Sequence, residues 1–400
     1  MTTNTFLTID DIDPSAKVAL VRGDLNVPMD GDRVTDATRL ERLKPTVDDL
    51  TAKGIQVVLM SHFGRPKGKR VPEMSLAPIA PALSEALGRP VETAADCIGD
   101  AAKAAIEGAE PGAVVMLENL RFYPGEEADD EDFAEQLAAL GDIYVNDAFS
   151  AAHRAHASTH AIAHRLPAFA GRNMEAELKA LNAALGDPKR PVAAIVGGAK
   201  VSTKLQVLEH LMDKVDMLII GGGMANTFLS AQGISVGKSL CETDLADTAR
   251  DILDRAAAAS CEIVLPVDAR VAPAFEPTPG AQTVPIDAVA DDQMILDIGK
   301  ASADDLVQRL SGCRTLVWNG PMGAFEISPF DEGTVAVAKA AAALTEQGKL
   351  ASIAGGGDTV AALKHADALE SFTYVSTAGG AFLEWMEGRD LPGVTALSRV

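Results

Sequence analysis

Arginine side chains follow several short apolar runs in the first half of this 400-residue chain. Arg65, Arg121 and Arg154 each come a few residues after such a run. A guanidinium group is a planar fork of N–H donors that matches two oxygens of a carboxylate or a phosphate, a geometry that an ammonium group lacks. Several arginines that converge on one crevice therefore predict a small ligand with more than one anionic group.

Other polar residues occupy similar positions in the same half. Asp24 and Asn26 follow the first apolar run, His62 follows the second, and Arg39 comes from the next predicted helix. Any one arginine could be a surface ion-pair partner, and Asp24 could only cap a turn. However, arginines recur at successive strand ends of an acidic chain, which favours a binding site over unrelated surface ion pairs. Arg22 could be a buried ion-pair partner, so we place it outside that site.

Glycine turns follow the apolar runs of the second half. The segment 197–204 reads Gly-Gly-Ala-Lys-Val-Ser-Thr-Lys and opens a helix. A strand, a glycine turn and a helix start together bind anions, because free backbone N–H groups point outward there. Lys200 and Lys204 add positive charge at the same place. The segment matches neither the Walker motif nor the G-x-G-x-x-G dinucleotide motif.

A candidate metal ligand lies at the last glycine turn. Asp358 and Thr359 stand at a helix start, directly after Gly355, Gly356 and Gly357. Both could be ordinary N-cap residues. However, a carboxylate beside a phosphate-binding helix start suits Mg²⁺, which proteins often hold by one carboxylate, waters and phosphate oxygens. Glu326 follows an earlier glycine turn and could bind a ribose hydroxyl.

A cluster of histidines allows a second metal hypothesis. His156, His160 and His164 would share one face if this stretch were helical, and such a pair can chelate zinc. No cysteine lies nearby, so we favour ordinary packing for these side chains.

The apolar runs themselves predict the fold. Each is short and nearly continuous, as is typical of a strand that is buried on both faces. Helical periodicity separates them, which predicts parallel sheets with right-handed crossovers. The runs are 18–21, 57–60, 114–117, 143–145, 193–196, 217–220, 263–267, 316–318, 352–354 and 372–375. So many strands predict an α/β protein with two doubly wound, Rossmann-like parallel sheets. The segment 158–189 reads as helix without a strand.

Composition excludes several classes of protein. Hydrophobic residues make up 47% of the chain, which argues against disorder, and the net charge of −22 argues against nucleic-acid binding. The four cysteines form no C-x-x-C pair. The N-terminus does not read as a signal peptide, and no apolar run is long enough to span a membrane. We therefore expect a cytoplasmic protein without a membrane or nucleic-acid partner.

Taken together, these segments resemble the phosphoglycerate kinase family. The resemblance runs from Arg-Gly-Asp-Leu-Asn-Val-Pro at 22–28 to Leu-Pro-Gly-Val at 391–394. Between them it includes the segments 61–66, 117–122, 153–158, 197–204, 221–225, 318–325 and 355–359. One glycine turn would be weak support, but this many segments in this order are specific.

The resemblance implies two domains joined by a hinge. Residues 1–172 would bind 3-phosphoglycerate or 1,3-bisphosphoglycerate, with the tail from about 385 to 400 packed back on them. Residues 173–384 would bind Mg²⁺ with ATP or ADP. The implied phosphoglycerate contacts are Asp24, Asn26, Arg39, His62, Arg65, Arg121 and Arg154. The implied nucleotide contacts are Lys204, Glu326 and Gly355 to Thr359, with Asp358 toward magnesium. Arg172 is a looser match to a further arginine of the phosphoglycerate site.

The implied reaction is phosphoryl transfer in glycolysis, in line and after hinge closure, by a monomer. Both attacking groups, a carboxylate and an ADP phosphate oxygen, are ionised at neutral pH, so no general base is needed. Arg39, Lys200 and Lys204 would stabilise the charge of the transition state. Two alternatives stay open from the residues alone: a nicotinamide oxidoreductase, and a hinged anion-binding protein without catalytic activity.

Overall fold

The computed structural model describes residues 6–110 and 112–398. The chain forms two compact units, which we call the N-terminal and C-terminal units. The N-terminal unit extends to Lys179 and includes the chain again from Asp390, and the C-terminal unit is Ala180–Arg389. The division falls inside the helix Arg172–Leu181, whose first residue is the boundary predicted from the sequence.

The N-terminal unit contains the first eight strands. They are β1 (Val18–Arg22), β2 (Met29–Asp30), β3 (Arg33–Val34), β4 (Gln56–Met60), β5 (Val91–Thr93), β6 (Val114–Met116), β7 (Ile143–Asn146) and β8 (Ala168–Ala170). Its helices are α1 (Thr38–Glu41), α2 (Lys44–Ala52), α3 (Ala80–Leu87), α4 (Gly99–Gly108), α5 (Pro124–Glu127), α6 (Glu131–Ala138) and the start of α7 (Arg172–Leu181).

Parallel pairing aligns the strand ends of the N-terminal sheet. The strand order is β5-β6-β4-β1-β7-β8, and every neighbouring pair is parallel. Arg22 at the end of β1 is paired with Met60 on one side and with Asn146 on the other. The strand order reverses at β1, and ligands of open α/β sheets bind at such a switch point.

The C-terminal unit has a second parallel sheet. Its strands are β9 (Val192–Val196), β10 (Met217–Ile220), β11 (Glu262–Val264), β12 (Asp268–Ala272), β13 (Gln282–Pro285), β14 (Met294–Ile298), β15 (Thr315–Asn319), β16 (Ala351–Gly355) and β17 (Tyr374–Ser376). Its helices are α8 (Leu205–Met212), α9 (Gly223–Ala231), α10 (Ala246–Ala258), α11 (Lys300–Gly312), α12 (Glu332–Glu346), α13 (Gly357–His365) and α14 (Gly379–Met386). The parallel sheet has the order β11-β10-β9-β15-β16-β17. Two parallel six-stranded sheets confirm the predicted fold class.

Two features of the fold differ from the sequence prediction. The segment 158–189 is not wholly helical, because β8 lies within it and pairs with β7. This strand is a three-residue edge strand after Pro167, so it leaves no long apolar run in the sequence. In addition, β12 to β14 form an antiparallel sheet with the order β13-β12-β14. Because polar residues interrupt these strands, they do not form the continuous apolar runs from which the other strands were predicted.

The chain beyond Asp390 packs on the N-terminal unit. It forms the short helix α15 (Pro392–Thr395). The Gly393 N–H donates to the Ala152 carbonyl at 2.8 Å, and the Asn146 amide donates to the Gly393 carbonyl at 3.1 Å. A Cβ at position 393 would lie 2.9 Å from the Ala152 Cα, so this approach requires glycine.

No helix within residues 6–110 and 112–398 is both long enough and apolar enough to cross a bilayer.

Candidate functional site

Three of the predicted residues of the N-terminal unit are in direct contact. The Arg39 guanidinium lies 3.2 Å from the Asp24 carboxylate and donates to the Asn26 carbonyl at 2.7 Å. Asp24 also accepts from the Asn26 backbone N–H at 3.1 Å, which closes a small turn after β1. These contacts fix Arg39, from α1, at the carboxyl end of the central strand.

The same cluster extends to the loop after β4. The Asn26 side-chain oxygen accepts from the Gly64 N–H at 3.0 Å, and the Gly64 carbonyl accepts from Arg121 at 2.9 Å. Arg121 lies in the 3₁₀ turn Leu120–Phe122 after β6, and burial lowers the pKa of its guanidinium. Residues from three strand ends therefore meet at Gly64.

Two further predicted arginines lie at the edge of this cluster. Arg154 is exposed, and its charge is close enough to lower the pKa of Arg121. Arg65 directly follows Gly64 and is also exposed. Among the described residues its side chain has no ion-pair partner.

His62 lies beside Arg22, the residue that we placed outside the site. The Arg22 Nη2 is 2.9 Å from the His62 Nδ1, and the Arg22 side chain is almost fully buried. The pKa of His62 is well below its usual value, chiefly because the ring is partly buried and also because the positive charges of Arg22, Arg121 and Arg39 lie close to it. The ring is therefore neutral at physiological pH.

Arg172 and the histidine cluster lie apart from these contacts. The Arg172 guanidinium is held by the carboxylates of Asp10, Asp49 and Glu175. His160 is 2.7 Å from Asp129 and packs edge to face on His164. Within the part of the chain that the structure describes, no three His, Cys, Asp or Glu side chains are grouped as metal ligands.

In the C-terminal unit, Lys204 and the last glycine turn are joined through one amide. The Lys204 ammonium donates to the Asn319 side-chain oxygen, and the Asn319 amide donates to the Gly355 carbonyl at 2.7 Å. Gly356 has φ +98°, and a Cβ there would lie 2.7 Å from the Asn319 amide nitrogen. Burial lowers the pKa of Lys204, while Asp358 and Glu387 raise it.

Thr359 and Asp358 have different surroundings although they are neighbours. Thr359 is buried, and its hydroxyl accepts from the Gly320 N–H at 2.7 Å, so it connects two glycine turns. Asp358 is exposed in the first turn of α13. Among the described residues it accepts no hydrogen bond, which leaves its carboxylate available to a ligand.

Lys200 and Lys204 differ in exposure and in their partners. Lys200 precedes the 3₁₀ turn Val201–Thr203, is exposed, and lowers the pKa of Glu242 by its charge. The structure therefore places the two predicted lysines of this segment in different surroundings.

A cavity of about 270 Å³ adjoins these turns. Glycines of three turns line it, and Glu326 and Asp358 lie at it as well. The apolar part of its lining includes Leu229, Leu240, Phe275, Ile286, Met294, Leu296 and Met322. Glycine turns with a few polar groups beside an apolar wall are typical of a pocket for a nucleotide.

The matches to known proteins agree with this geometry. A family model described as phosphoglycerate kinase matches residues 9–389. The chain belongs to the phosphoglycerate kinase family. Members of this family are kinases that use a nucleotide and a small molecule, so the chain is a phosphotransferase. The two alternatives, an oxidoreductase and a non-catalytic binding protein, have no support in these matches.

Named relatives match over the whole chain. A phosphoglycerate kinase from Azorhizobium caulinodans is 62% identical over 395 residues, which are 99% of this chain and 100% of that protein. One from Ruegeria sp. is 61% identical over 390 residues, 98% of each chain.

Solved structures give the same result. The structure of phosphoglycerate kinase from Coxiella burnetii has a TM-score of 0.90 at 42% identity, and 98% of each chain is covered. Phosphoglycerate kinase from Pyrococcus horikoshii has a TM-score of 0.80 at 31% identity, again with 98% of each chain covered.

Some residues of the candidate site were missed in the sequence. Asn319 is a polar residue at the end of the apolar strand β15. Polar residues at strand ends are the pattern from which the other site residues were predicted, so the same pattern could have identified Asn319. The apolar lining of the cavity comes partly from the undetected antiparallel sheet, so no motif marked it. Arg22 is at a strand end, and its contact with His62 gives it a closer relation to the site than we expected.

One buried carboxyl group at the cavity has an unusual pKa. Asp297 lies in β14, 1% exposed, and accepts from the Gly333 N–H at 2.7 Å and the Ile298 N–H at 2.9 Å. Burial raises its pKa to about 8. Between about pH 4, near the ordinary pKa of Asp, and pH 8, the folded state keeps a proton that the unfolded state has lost. Stability therefore falls as pH rises through this window.

We predict that Asp297→Asn weakens this pH dependence. Asparagine does not titrate, so the free energy of unfolding should fall less steeply between pH 5 and 8, by up to about 1.4 kcal/mol per pH unit. Both tryptophans, Trp318 and Trp385, lie in the C-terminal unit, so denaturant unfolding followed by their fluorescence reports on it.

The matched control is Asp251→Asn, which alters an exposed carboxyl group of α10. Its slope should equal that of the unmodified chain. Equal slopes for all three proteins would mean that Asp297 is ionised in the folded state over this range.

Proposed function

We propose that this chain transfers a phosphoryl group reversibly between 1,3-bisphosphoglycerate and Mg-ADP, giving 3-phosphoglycerate and ATP in glycolysis. The observation that carries the proposal is the cluster in which Asp24, Asn26, Arg39 and Arg121 meet around Gly64. Cationic and neutral hydrogen-bond donors at one switch point suit a ligand with a carboxylate, a hydroxyl group and a phosphate.

The N-terminal unit would bind the acid substrate. Arg39 and Arg121 are held by backbone and carboxylate groups, so they lose little conformational freedom when a ligand arrives. Arg65 and Arg154 are exposed at the edge and would complete the binding of the second anionic group. His62 would donate to a ligand oxygen, and Asp24 and Asn26 would bind its hydroxyl or orient Arg39.

The C-terminal unit would bind the nucleotide. Lys204 would bind a phosphate oxygen, and Gly355 to Thr359 would surround the phosphates with backbone N–H groups at the start of α13. The base would lie against the apolar wall of the cavity, and Glu326 would accept from a ribose hydroxyl. Glu326 and Asp358 line the cavity, and Asn319 joins Lys204 to the turn at Gly355.

The residues at the start of α13 also fit a magnesium ion. Asp358 provides one exposed carboxylate without a hydrogen-bond donor among the described residues, beside the positive charge of Lys204. Mg²⁺ usually takes one or two carboxylates and completes its octahedron with waters and phosphate oxygens. When bound, the ion would neutralise the charge of the nucleotide phosphates.

The chemistry requires charge stabilisation and no general base. In the direction of ATP synthesis, a terminal oxygen of ADP forms a bond to the phosphorus as the bond to the acyl oxygen breaks. The leaving group is the carboxylate of 3-phosphoglycerate, so no proton has to move. Arg39 and Lys200 would stabilise the charge on the transferring oxygens, and Lys204 would stabilise the nucleotide side.

The proposal also requires a conformational step. The two ligands would bind to different units, so transfer needs a closure that joins them and excludes water from the acyl phosphate. We expect the hinge in the region of α7 and the linker before Pro191. A monomeric state and a cytoplasmic location are further expectations of this proposal.

A coupled assay tests the function. The purified chain is given 1,3-bisphosphoglycerate, ADP and Mg²⁺, and the ATP formed is measured with hexokinase and glucose-6-phosphate dehydrogenase. We expect ATP in proportion to enzyme and none without ADP. A folded chain that binds both ligands but forms no ATP would contradict the proposal.

The variant Arg39→Ala tests the role of the central arginine. It should lower kcat by on the order of 10³, about 4 kcal/mol, because the transition state loses a guanidinium held at the cluster. The control is Arg33→Ala in the same unit, since Arg33 is exposed and paired only with Asp30 among the described residues. The control should keep full activity, and near-normal kcat in Arg39→Ala would remove Arg39 from the mechanism.

A further inference from the structure

The buried guanidinium group of Arg22 is in contact with the His62 ring. Arg22, the last residue of β1, is 1% exposed. Its Nη2 lies 2.9 Å from the His62 Nδ1, and its Nε donates to the Ser158 hydroxyl at 2.9 Å. Its Nη1 donates to the Gly23 carbonyl. All three guanidinium nitrogens are therefore engaged within the N-terminal unit.

The chemistry of arginine settles where the proton of His62 lies. A guanidinium group has N–H donors and no acceptor. The Arg22 Nη2 must therefore donate, and the His62 Nδ1 must accept with its lone pair. A neutral imidazole carries one proton, which is then on Nε2. Among the described residues, Nε2 has no hydrogen-bond partner.

The network continues from Arg22 to a buried acid. The Ser158 hydroxyl accepts from Arg22 and donates to the Glu126 Oε1 at 2.7 Å, and the Ser158 N–H donates to the other carboxylate oxygen at 3.0 Å. Glu126 is fully buried, which raises the pKa of its carboxyl group, while the nearby charge of Arg22 acts in the opposite direction. The Tyr144 hydroxyl donates to the Ser158 carbonyl at 2.8 Å, which holds this residue in place.

The surroundings of His62 keep its ring neutral. The groups that face it are Arg22 from β1, Arg39 from α1, Arg121 from the turn after β6, and His156 from the loop after β7. Partial burial, and then the positive charges of the three arginines, lower the pKa of the ring well below its usual value. A second proton could enter only at Nδ1, where Arg22 already donates.

We propose that Arg22 is a positioning residue that fixes His62 as the neutral Nε2–H tautomer, so that Nε2 donates to an anionic oxygen of the acid substrate. The part that concerns the substrate rests on the proposed function. Such a donor does not change its protonation across the physiological range, and it cannot accept a hydrogen bond. It therefore favours carboxylate or phosphate oxygens over ligand groups that donate.

The tautomer can be observed in the unmodified chain. Long-range ¹H–¹⁵N spectra of the full chain with ¹⁵N-labelled histidine distinguish protonated from unprotonated ring nitrogens, and His62→Gln assigns the His62 signals. We expect a protonated Nε2 and an unprotonated Nδ1 from about pH 6 to pH 8, a range in which an ordinary histidine titrates. A ring that is protonated at Nδ1, or that titrates in this range, would overturn the proposal.

A variant tests the link to Arg22. Arg22→Met should leave His62 as a mixture of tautomers, and the KM for 3-phosphoglycerate should rise by the factor by which the Nε2–H fraction falls, about 2-fold for an equal mixture. The KM for ATP should not change. Arg22→Lys keeps one donor and should restore part of the effect.

The control is Arg165→Met, because Arg165 is a surface arginine of the same unit, paired with Glu131 and Glu135. A single Nε2–H tautomer in a folded Arg22→Met chain would overturn the proposal. If that variant does not fold, the spectrum of the unmodified chain still decides the tautomer.

The two hypotheses can fail separately. An active chain whose His62 carries its proton on Nδ1 refutes the role of Arg22 and leaves the proposed function intact. A folded but inactive chain whose His62 carries its proton on Nε2 refutes the proposed function, while the tautomer assignment stands.

Discussion

The parallel pairing of β1 with β4 and β7 is the constraint on which the N-terminal site depends. Since Arg22 is paired with Met60 on one side and with Asn146 on the other, the chain leaves all three strands at the same level. Loops of different lengths then bring Asn26 and Gly64 into hydrogen-bond contact. The C-terminal sheet repeats this arrangement with β9 and β15, whose ends precede the glycine turns.

The two units use different chemistry at equivalent places. The N-terminal unit presents guanidinium groups, which suit the separate anionic ends of a small acid. The C-terminal unit presents backbone N–H groups and the single ammonium of Lys204, joined by Asn319 to the turn at Gly355. In both units a buried polar side chain, Arg22 or Asn319, supports a group that we expect to bind the ligand. The buried residue would thus act on the ligand through its neighbour.

The central strands of both sheets could be predicted, because buried parallel strands are short continuous apolar runs. The polar residues directly after them could be predicted as well, since parallel strands end at one edge. The edge strand β8 and the antiparallel sheet could not, because they are short or interrupted by polar residues. The pairing of Arg22 with His62 and Ser158 depends on residues far apart in the sequence, and no local pattern encodes it.

We propose that the two ligands bind to different units, and hydrogen exchange of the full chain can locate each binding site. Exchange is measured by mass spectrometry with 3-phosphoglycerate alone and then with Mg-ADP alone. We expect 3-phosphoglycerate to slow exchange in the segments 22–26 and 61–65, and Mg-ADP to slow it in 197–204 and 355–359. If both ligands slowed exchange in the same unit, this account of the chain would be contradicted.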